Sequence, residues 1–143
     1  MSIPITRAEA LTGVQKNKEF FSDFLLNFNK SPLGDDLARV TNDHAVNQSL
    51  RNLIKTNLGE RLFQPMVGSD VYATLFENNT EQNRTLLELQ IRTTIENNEP
   101  RVIISQVLVE EGKIEEEVEI TIIYQLINNP EEVTLNMILK RVR

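Results

Sequence analysis

A single histidine, His44, and the absence of cysteine deprive the chain of the parts for most side-chain chemistry. Ser-His-Asp and Cys-His nucleophile systems, multi-histidine metal centres and thiolate zinc sites all need residues that are missing. His44 itself falls near a predicted helix start, the place of a surface or capping residue. The five glycines are scattered, so neither a dinucleotide fingerprint nor a phosphate-cradling loop can be built from them. What survives is carboxylate chemistry. A glycosidase needs only two carboxyl groups ~5–9.5 Å apart, and Glu60 and Glu99 are the candidate pair. Each has an arginine close by, Arg61 and Arg101. A cationic neighbour keeps a carboxylate ionised where a general acid must hold its proton, so the pattern argues against an enzyme and implies no cofactor. The acidic run of Glu110, Glu111, Glu115, Glu116, Glu117 and Glu119 lacks the alternating ligands and turn glycine of an EF-hand. It is expected to be a solvated strand face, with no metal.

Two stretches stand out for contact rather than reaction. The first is Thr56-Asn57-Leu58-Gly59-Glu60-Arg61, with Pro65 and Gly68-Ser69 after it: a helix end, a charged pair, then a stiff loop. The second is Glu99-Pro100-Arg101, where proline locks a helix-to-strand corner and sets two opposite charges on a rigid elbow. On the residues alone, a helix stop flanked by solvated charges is the simpler explanation of both.

The elements that position these stretches follow from periodicity. Over 42–58 the apolar residues Ala45, Val46, Leu50, Leu53, Ile54 and Leu58 recur at three- and four-residue steps, which predicts a helix with one buried face. Thr41 or Asn42 is expected to cap it, Asp43 to favour its N-terminal dipole, and Gly59 to end it. Ser69 is expected to cap a short helix burying Val71, Leu75 and Phe76. Thr80 should start another, with Leu87, Ile91 and Ile95 inward and its end at Asn97-Asn98 before Pro100.

After Pro100 the period changes to two and Val and Ile dominate. Strands are predicted over 102–109, 114–127 and 133–142, with turns at 110–113 and 128–131. In the second strand Ile114, Val118, Ile120, Ile122, Tyr124 and Leu126 share the inner face. Closing the hairpin so that Leu126 meets Val133 sets Tyr124 against Leu135, Ile122 against Met137, Ile120 against Leu139 and Glu119 against Lys140. The run 102–109 carries no charge and is a hazardous edge unless covered; residues 37–40, after a turn at Ser31-Pro32-Leu33-Gly34-Asp35, are the candidate cover and a possible fourth strand.

These pieces predict an α+β fold with N-terminal helices packed on one face of a C-terminal antiparallel meander. At 143 residues one domain is expected: an extended or irregular arm over 1–30 carrying several phenylalanines, a helical part over 41–98 and a sheet over 101–143. A net charge of −6 argues against nucleic acid as partner, and the first residues hold no apolar run for a signal or membrane span. Proteins are the expected partners and host cytoplasm the expected place of assembly.

The two contact stretches also carry a resemblance. From about Asp23 onward the chain resembles the small baseplate wedge proteins of contractile phage tails, whose relatives serve type VI secretion baseplates. The matching residues are Gly34-Asp35, Asp43, Ala45-Val46, Ser49, Thr56, Gly59-Glu60-Arg61, Pro65, Gly68-Ser69, Leu75-Phe76 and Glu99-Pro100-Arg101-Val102. The segment before Phe20 matches poorly. The resemblance implies a subunit present in several copies of a symmetric virion baseplate, linking other wedge subunits to the first ring of the tail sheath. It assigns Glu99, Pro100 and Arg101, with Gly59, Glu60 and Arg61, to contacts with wedge neighbours. It also implies that the sheet accepts extended sheath arms by strand addition. The last strand, with Leu135, Met137, Leu139, Lys140 and Arg141, is the expected docking edge, and Lys140, Arg141 and Arg143 would discourage self-pairing. Some members of the family carry a lysozyme label, which the residues of this chain do not independently support.

Overall fold

The computed structural model describes residues 19–31, 34, 36–75, 80–114 and 117–140. Two short strands, β1 (Ser22–Phe24) and β2 (Arg39–Thr41), pair antiparallel and lead into helix α1 (Asn42–Lys55). Helices α2 (Val71–Leu75) and α3 (Glu81–Asn98) follow, then strands β3 (Val102–Glu111), β4 (Glu117–Leu126) and β5 (Asn129–Lys140). The last three form one antiparallel sheet in the order β3-β4-β5, so the fold is α+β as the periodicity predicts. The 37–40 segment does not join that sheet as a fourth strand or cover; β2 is held by β1 instead. Of the predicted N-terminal arm, residues 1–18 lie outside the described residues.

Helix α1 buries Ala45, Val46, Leu50, Leu53 and Ile54 on the expected face. It ends three residues earlier than the period predicts. Thr56 turns to extended backbone while its amide and its Oγ1 both donate to the Asn52 carbonyl, at 2.9 and 2.7 Å, closing the last turn without a glycine. Gly59 therefore sits in the loop beyond, and Leu58 is half exposed. At the other end Thr41 occupies the cap position without a side-chain bond, and Asn42 spends its Oδ1 on the Phe20 amide at 2.9 Å. Ser69 does not cap α2 either: its Oγ donates to the Ile54 carbonyl at 2.6 Å, satisfying an orphan acceptor at the end of α1. α2 buries Val71, Thr74 and Leu75; Phe76 lies outside the described residues. Thr80 does cap α3, accepting from the Asn83 amide at 3.3 Å, and Leu87, Ile91 and Ile95 are buried.

The inner face of the sheet carries Val102, Val107 and Val109 from β3, every even residue of 118–126 from β4, and Leu135, Met137 and Leu139 from β5, all buried against α1 and α3. Tyr124, the one aromatic fully inside among the described residues, donates its hydroxyl to Asn47 Oδ1 at 3.0 Å. Burial raises the Tyr124 phenol well above its ordinary range, helped by the negative charges of Asp43 and Glu99.

The hairpin register differs from expectation by two residues. Tyr124 faces Val133, Ile122 faces Leu135, Ile120 faces Met137 and Val118 faces Leu139. The turn is tighter than predicted, with Leu126 paired to Asn129 and an irregularity between Gln125 and Leu126. A two-residue slip returns every side chain to its own face, so alternation alone cannot choose between these registers. The slip brings Glu117 rather than Glu119 to Lys140, at 2.8 Å. β4 also starts later than predicted, leaving Ile114 exposed in the turn; Glu115 and Glu116 lie outside the described residues.

The charge-free β3 edge is covered by α3. Glu88 Oε1 accepts from the Val109 amide at 3.0 Å, and Arg92 Nη2 donates to the Ser105 carbonyl at 3.2 Å, where a bulge displaces Ser105 from the ladder.

Candidate assembly surfaces

The elbow is built as a type of turn that proline favours at its second position. The Val102 amide donates to the Glu99 carbonyl at 3.3 Å across Pro100-Arg101, and the Glu99 amide closes α3 on Ile95 at 2.8 Å. This geometry turns the Glu99 carboxylate inward, where it is only 5% exposed. Arg101 grips it with two parallel bonds, Nε to Oε1 at 2.6 Å and Nη2 to Oε2 at 2.7 Å. Ser49 Oγ, from the middle of α1, adds a third at 2.8 Å. The guanidinium also lies 5.3 Å from the Phe21 ring centroid, and Asp23 adds a favourable negative charge.

Burial alone would raise the Glu99 carboxyl, but the hydrogen bonds from Arg101 and Ser49, with the charge of Arg101, outweigh it and hold the group below the usual carboxylate range. The bond from Glu99 raises Arg101 in turn. These charges are thus not solvated, as a simple helix stop would have them. They join α1, α3, β3 and the β1 strand at one point. A general acid would need the opposite shift, so the arrangement suits a buttress and not proton donation.

Residues 57–69 form a loop whose ends meet. The Ser69 amide donates to the Thr56 carbonyl at 2.8 Å, and Asn57 bridges Ser69 in parallel. Inside it, Glu60 Oε2 accepts from the Asn57 amide at 2.9 Å and the Gly59 amide reaches the Pro65 carbonyl at 2.8 Å. Gly59 has φ +82°, and Gly68 passes so close to the chain that a Cβ there would stand 2.7 Å from the Thr56 oxygen. The loop holds three apolar side chains out in solvent: Leu62 is 90% exposed, Phe63 97% and Met66 83%.

The two stretches singled out by sequence converge. Arg61 and Glu99 line one groove of about 390 Å3, together with Asp23, Ser49, Asn52 and Gln64. Glu60 is turned to its own loop and is absent from that lining, so the structure does not bring Glu60 and Glu99 together as a carboxylate pair across a cleft.

The third surface is the outer edge of β5. Leu135, Met137 and Leu139 are buried in the core, so their side chains are not available to a partner as the docking reading had them. The backbone of the residues between them faces outward, with one of its acceptors already taken. Asn136 gives its carbonyl to Arg51 Nη2 at 2.9 Å, away from β4. In an antiparallel ladder this places the N–H and C=O of Thr134 and Ile138 on the same outward side. The exposed Lys140 stands at the end of that edge; Arg141, Val142 and Arg143 lie outside the described residues. Ser49, Phe21 and the Leu62-Phe63-Met66 triplet carry no role on sequence spacing alone. Only an apolar cluster without period, bracketed by Gly59 and Gly68, hints at the triplet.

Helices covering one face of a three-stranded antiparallel meander, tied at a buried Glu-Arg elbow, define a small α+β class of protein. The chain belongs to the family described as "Baseplate wedge protein gp25", whose pattern matches residues 40–131. A curated relative, the baseplate wedge protein gp25 of Enterobacteria phage T4, is 34% identical over 67 residues. That match spans 47% of this chain and 51% of the relative, about half the length of each. Among solved structures, a protein provisionally named a tail lysozyme, from Geobacter sulfurreducens, has TM-score 0.66 at 20% identity, covering 71% of this chain and 92% of its own. A chain of the anti-feeding prophage baseplate has TM-score 0.58 at 20% identity, covering 86% and 87%. A chain of a type VI secretion baseplate complex has TM-score 0.55 at 14% identity, covering 70% and 93%. These structures share the fold with this chain.

Proposed function

We propose that the chain is a non-catalytic structural subunit of a contractile phage tail baseplate. In this reading it sits in several copies in the virion, assembled in the host cytoplasm, and joins neighbouring wedge subunits on one side. On the other it templates the first sheath ring by accepting an extended arm along β5. The observation that carries it is the outward-facing backbone of β5, whose Asn136 carbonyl already accepts a bond from Arg51 on that side, at the edge of a sheet whose other edge is covered by α3. The elbow serves by fixing the corner between α3 and β3, and the partly exposed Arg101 and Arg61 border the groove a wedge neighbour would enter. A role in a type VI secretion baseplate would use the same surfaces, and the shared fold of that relative favours it as the second reading. A peptidoglycan-cleaving role has the name of one structural relative behind it, but the paired and ionised Glu99 is unsuited to it.

The edge is testable without disturbing the fold. Truncation at 133 would remove Leu135, Met137 and Leu139 from the core and report only on unfolding. Ile138→Pro instead removes one outward donor, a position where an edge strand tolerates proline. The expected result is a folded protein, by circular dichroism, that enters baseplates which no longer nucleate sheath. Normal sheath growth on baseplates carrying Ile138→Pro would overturn the strand-addition role.

A further inference from the structure

The two edges of the β3-β4-β5 sheet are held differently. Residues 102–109 of β3 carry no charge and are rich in Val and Ile, a composition prone to pair edge to edge with a second copy of itself. Along that edge α3 lays a polar stripe. Arg84, Glu88 and Arg92 stand at four-residue steps on one side of the helix. Opposite charges at this spacing ordinarily pair along the helix; here each reaches across to β3. Arg84 Nη2 meets Glu111 Oε1 at 3.1 Å, Glu88 Oε1 accepts from the Val109 amide at 3.0 Å, and Arg92 Nη2 donates to the Ser105 carbonyl at 3.2 Å. Helix and strand run in opposite directions, so the three ties follow one another down the edge. Between Glu88 and Arg92 lies a small groove of about 270 Å3, floored by Gln106 and Val107. Since the Val109 amide points away from β4, alternation turns the N–H and C=O of Val107 the same way. The bulge at Ser105 interrupts the ladder on the far side.

We propose that Glu88 and Arg92 are edge-selecting residues: they occupy a donor and an acceptor of β3 so that no strand adds there, and so direct strand addition to β5. A strand docking on β3 must bond at residues 105, 107 and 109 in succession. With the first and last taken, only Val107 is left, and a single residue does not hold a strand. On β5 Arg51 takes one acceptor, that of Asn136, while Thr134 and Ile138 still face outward. The strand excluded is β3 of a second copy, whose charge-free run would bring no like charges into opposition. The inference rests on the strand-addition reading for the use of β5; the closure of β3 is tested with no sheath present.

The test is sedimentation equilibrium of the full chain for wild type, Glu88→Ala/Arg92→Ala and Glu88→Gln/Arg92→Lys, with circular dichroism to check each fold. The Gln/Lys variant keeps an acceptor and a donor in the two places. The expected result is that wild type and the Gln/Lys variant stay monomeric where the alanine variant dimerises. Two released backbone hydrogen bonds correspond to roughly a 30-fold gain in self-association. Hydrogen exchange should show the Val107 amide newly protected in that dimer. A loss of packing alone would lower stability without creating a dimer or protecting Val107. A folded alanine variant that stays monomeric overturns the proposal, as does a dimer protected along β5 instead, or a wild type that already pairs through β3. Should the alanine variant fail to fold, Arg92→Ala alone, which frees the Ser105 carbonyl, decides by the same readout. Failure of the Ile138→Pro test would withdraw the role of β5 and leave the result on β3 standing.

Discussion

The elbow and the 57–69 loop invert each other. At the elbow two charged side chains are turned inward, Glu99 buried and bound by Arg101 and Ser49. In the loop three apolar side chains are turned outward. Residue type alone would place each the other way round. The difference lies in what holds the backbone: Pro100 and the end of α3 aim a carboxylate into the packing between α1 and β3, whereas Gly59, Gly68 and the Ser69 clamp close a loop with no interior to fill. The elbow is therefore tied into the fold, whereas the apolar side chains of the loop pack on nothing in it. Substitutions should separate the two accordingly.

The largest effect on stability is expected at the elbow. Arg101→Glu removes the partner of a buried carboxylate and sets a like charge beside it; with Arg101 about one-third exposed, solvent softens the cost to roughly 3 kcal/mol. Urea denaturation measures it. A change under 1 kcal/mol would mean that the pair is loose in solution. Any loss of partner binding by this variant must be read against its lowered stability.

Gly68→Ala comes next. Its methyl would meet the Thr56 and Asn57 carbonyls below 3 Å, at a φ of +145° that an L side chain rarely adopts. The expected cost is ~1–3 kcal/mol, with loosening confined to the loop. Hydrogen exchange at the Ser69 amide, which donates to Thr56, would report it. Leu62→Ser/Phe63→Ser should have the smallest effect, within ~0.5 kcal/mol of wild type, since neither side chain is packed. A larger loss would place these residues in the core and undo the contrast.

Much of the fold was legible because period and burial coincide: the buried faces of α1, α3 and β4 follow directly from the spacing of their apolar residues. What escaped was decided by bonds that spacing does not encode. Thr56 ends α1 through its own hydroxyl, so the apolar period ran on to Leu58 without a helix to support it. The hairpin register depended on a two-residue turn, and face alternation is blind to a slip of two. β1 and β2 are three residues each, too short to show alternation. At the candidate sites, the Glu-Pro-Arg and Gly-Glu-Arg stretches stood out, but the inward turn of Glu99 depends on Ser49, fifty residues away, and on Phe21 beneath Arg101. Alternation puts Leu135, Met137 and Leu139 on the inner face, where they are buried, and the docking role that the resemblance implies for this strand can therefore fall only on its backbone edge and not on these side chains.

The most direct test is equilibrium unfolding of wild type and Glu99→Gln from pH 7 down to pH 3. A folded-state pKa lowered below the unfolded value of ~4.3 means that the folded protein binds fewer protons in that window. The carboxylate then contributes stability above about pH 4.3 and loses it as the pH falls through the lowered value. Wild type should accordingly be the more stable at pH 7, with the gap closing below about pH 4 while the carboxylates common to both proteins cancel. A gap that widens in wild type's favour on acidification would mean a carboxyl that prefers its proton, the signature of a general acid, and would contradict the reading of the elbow as a structural tie.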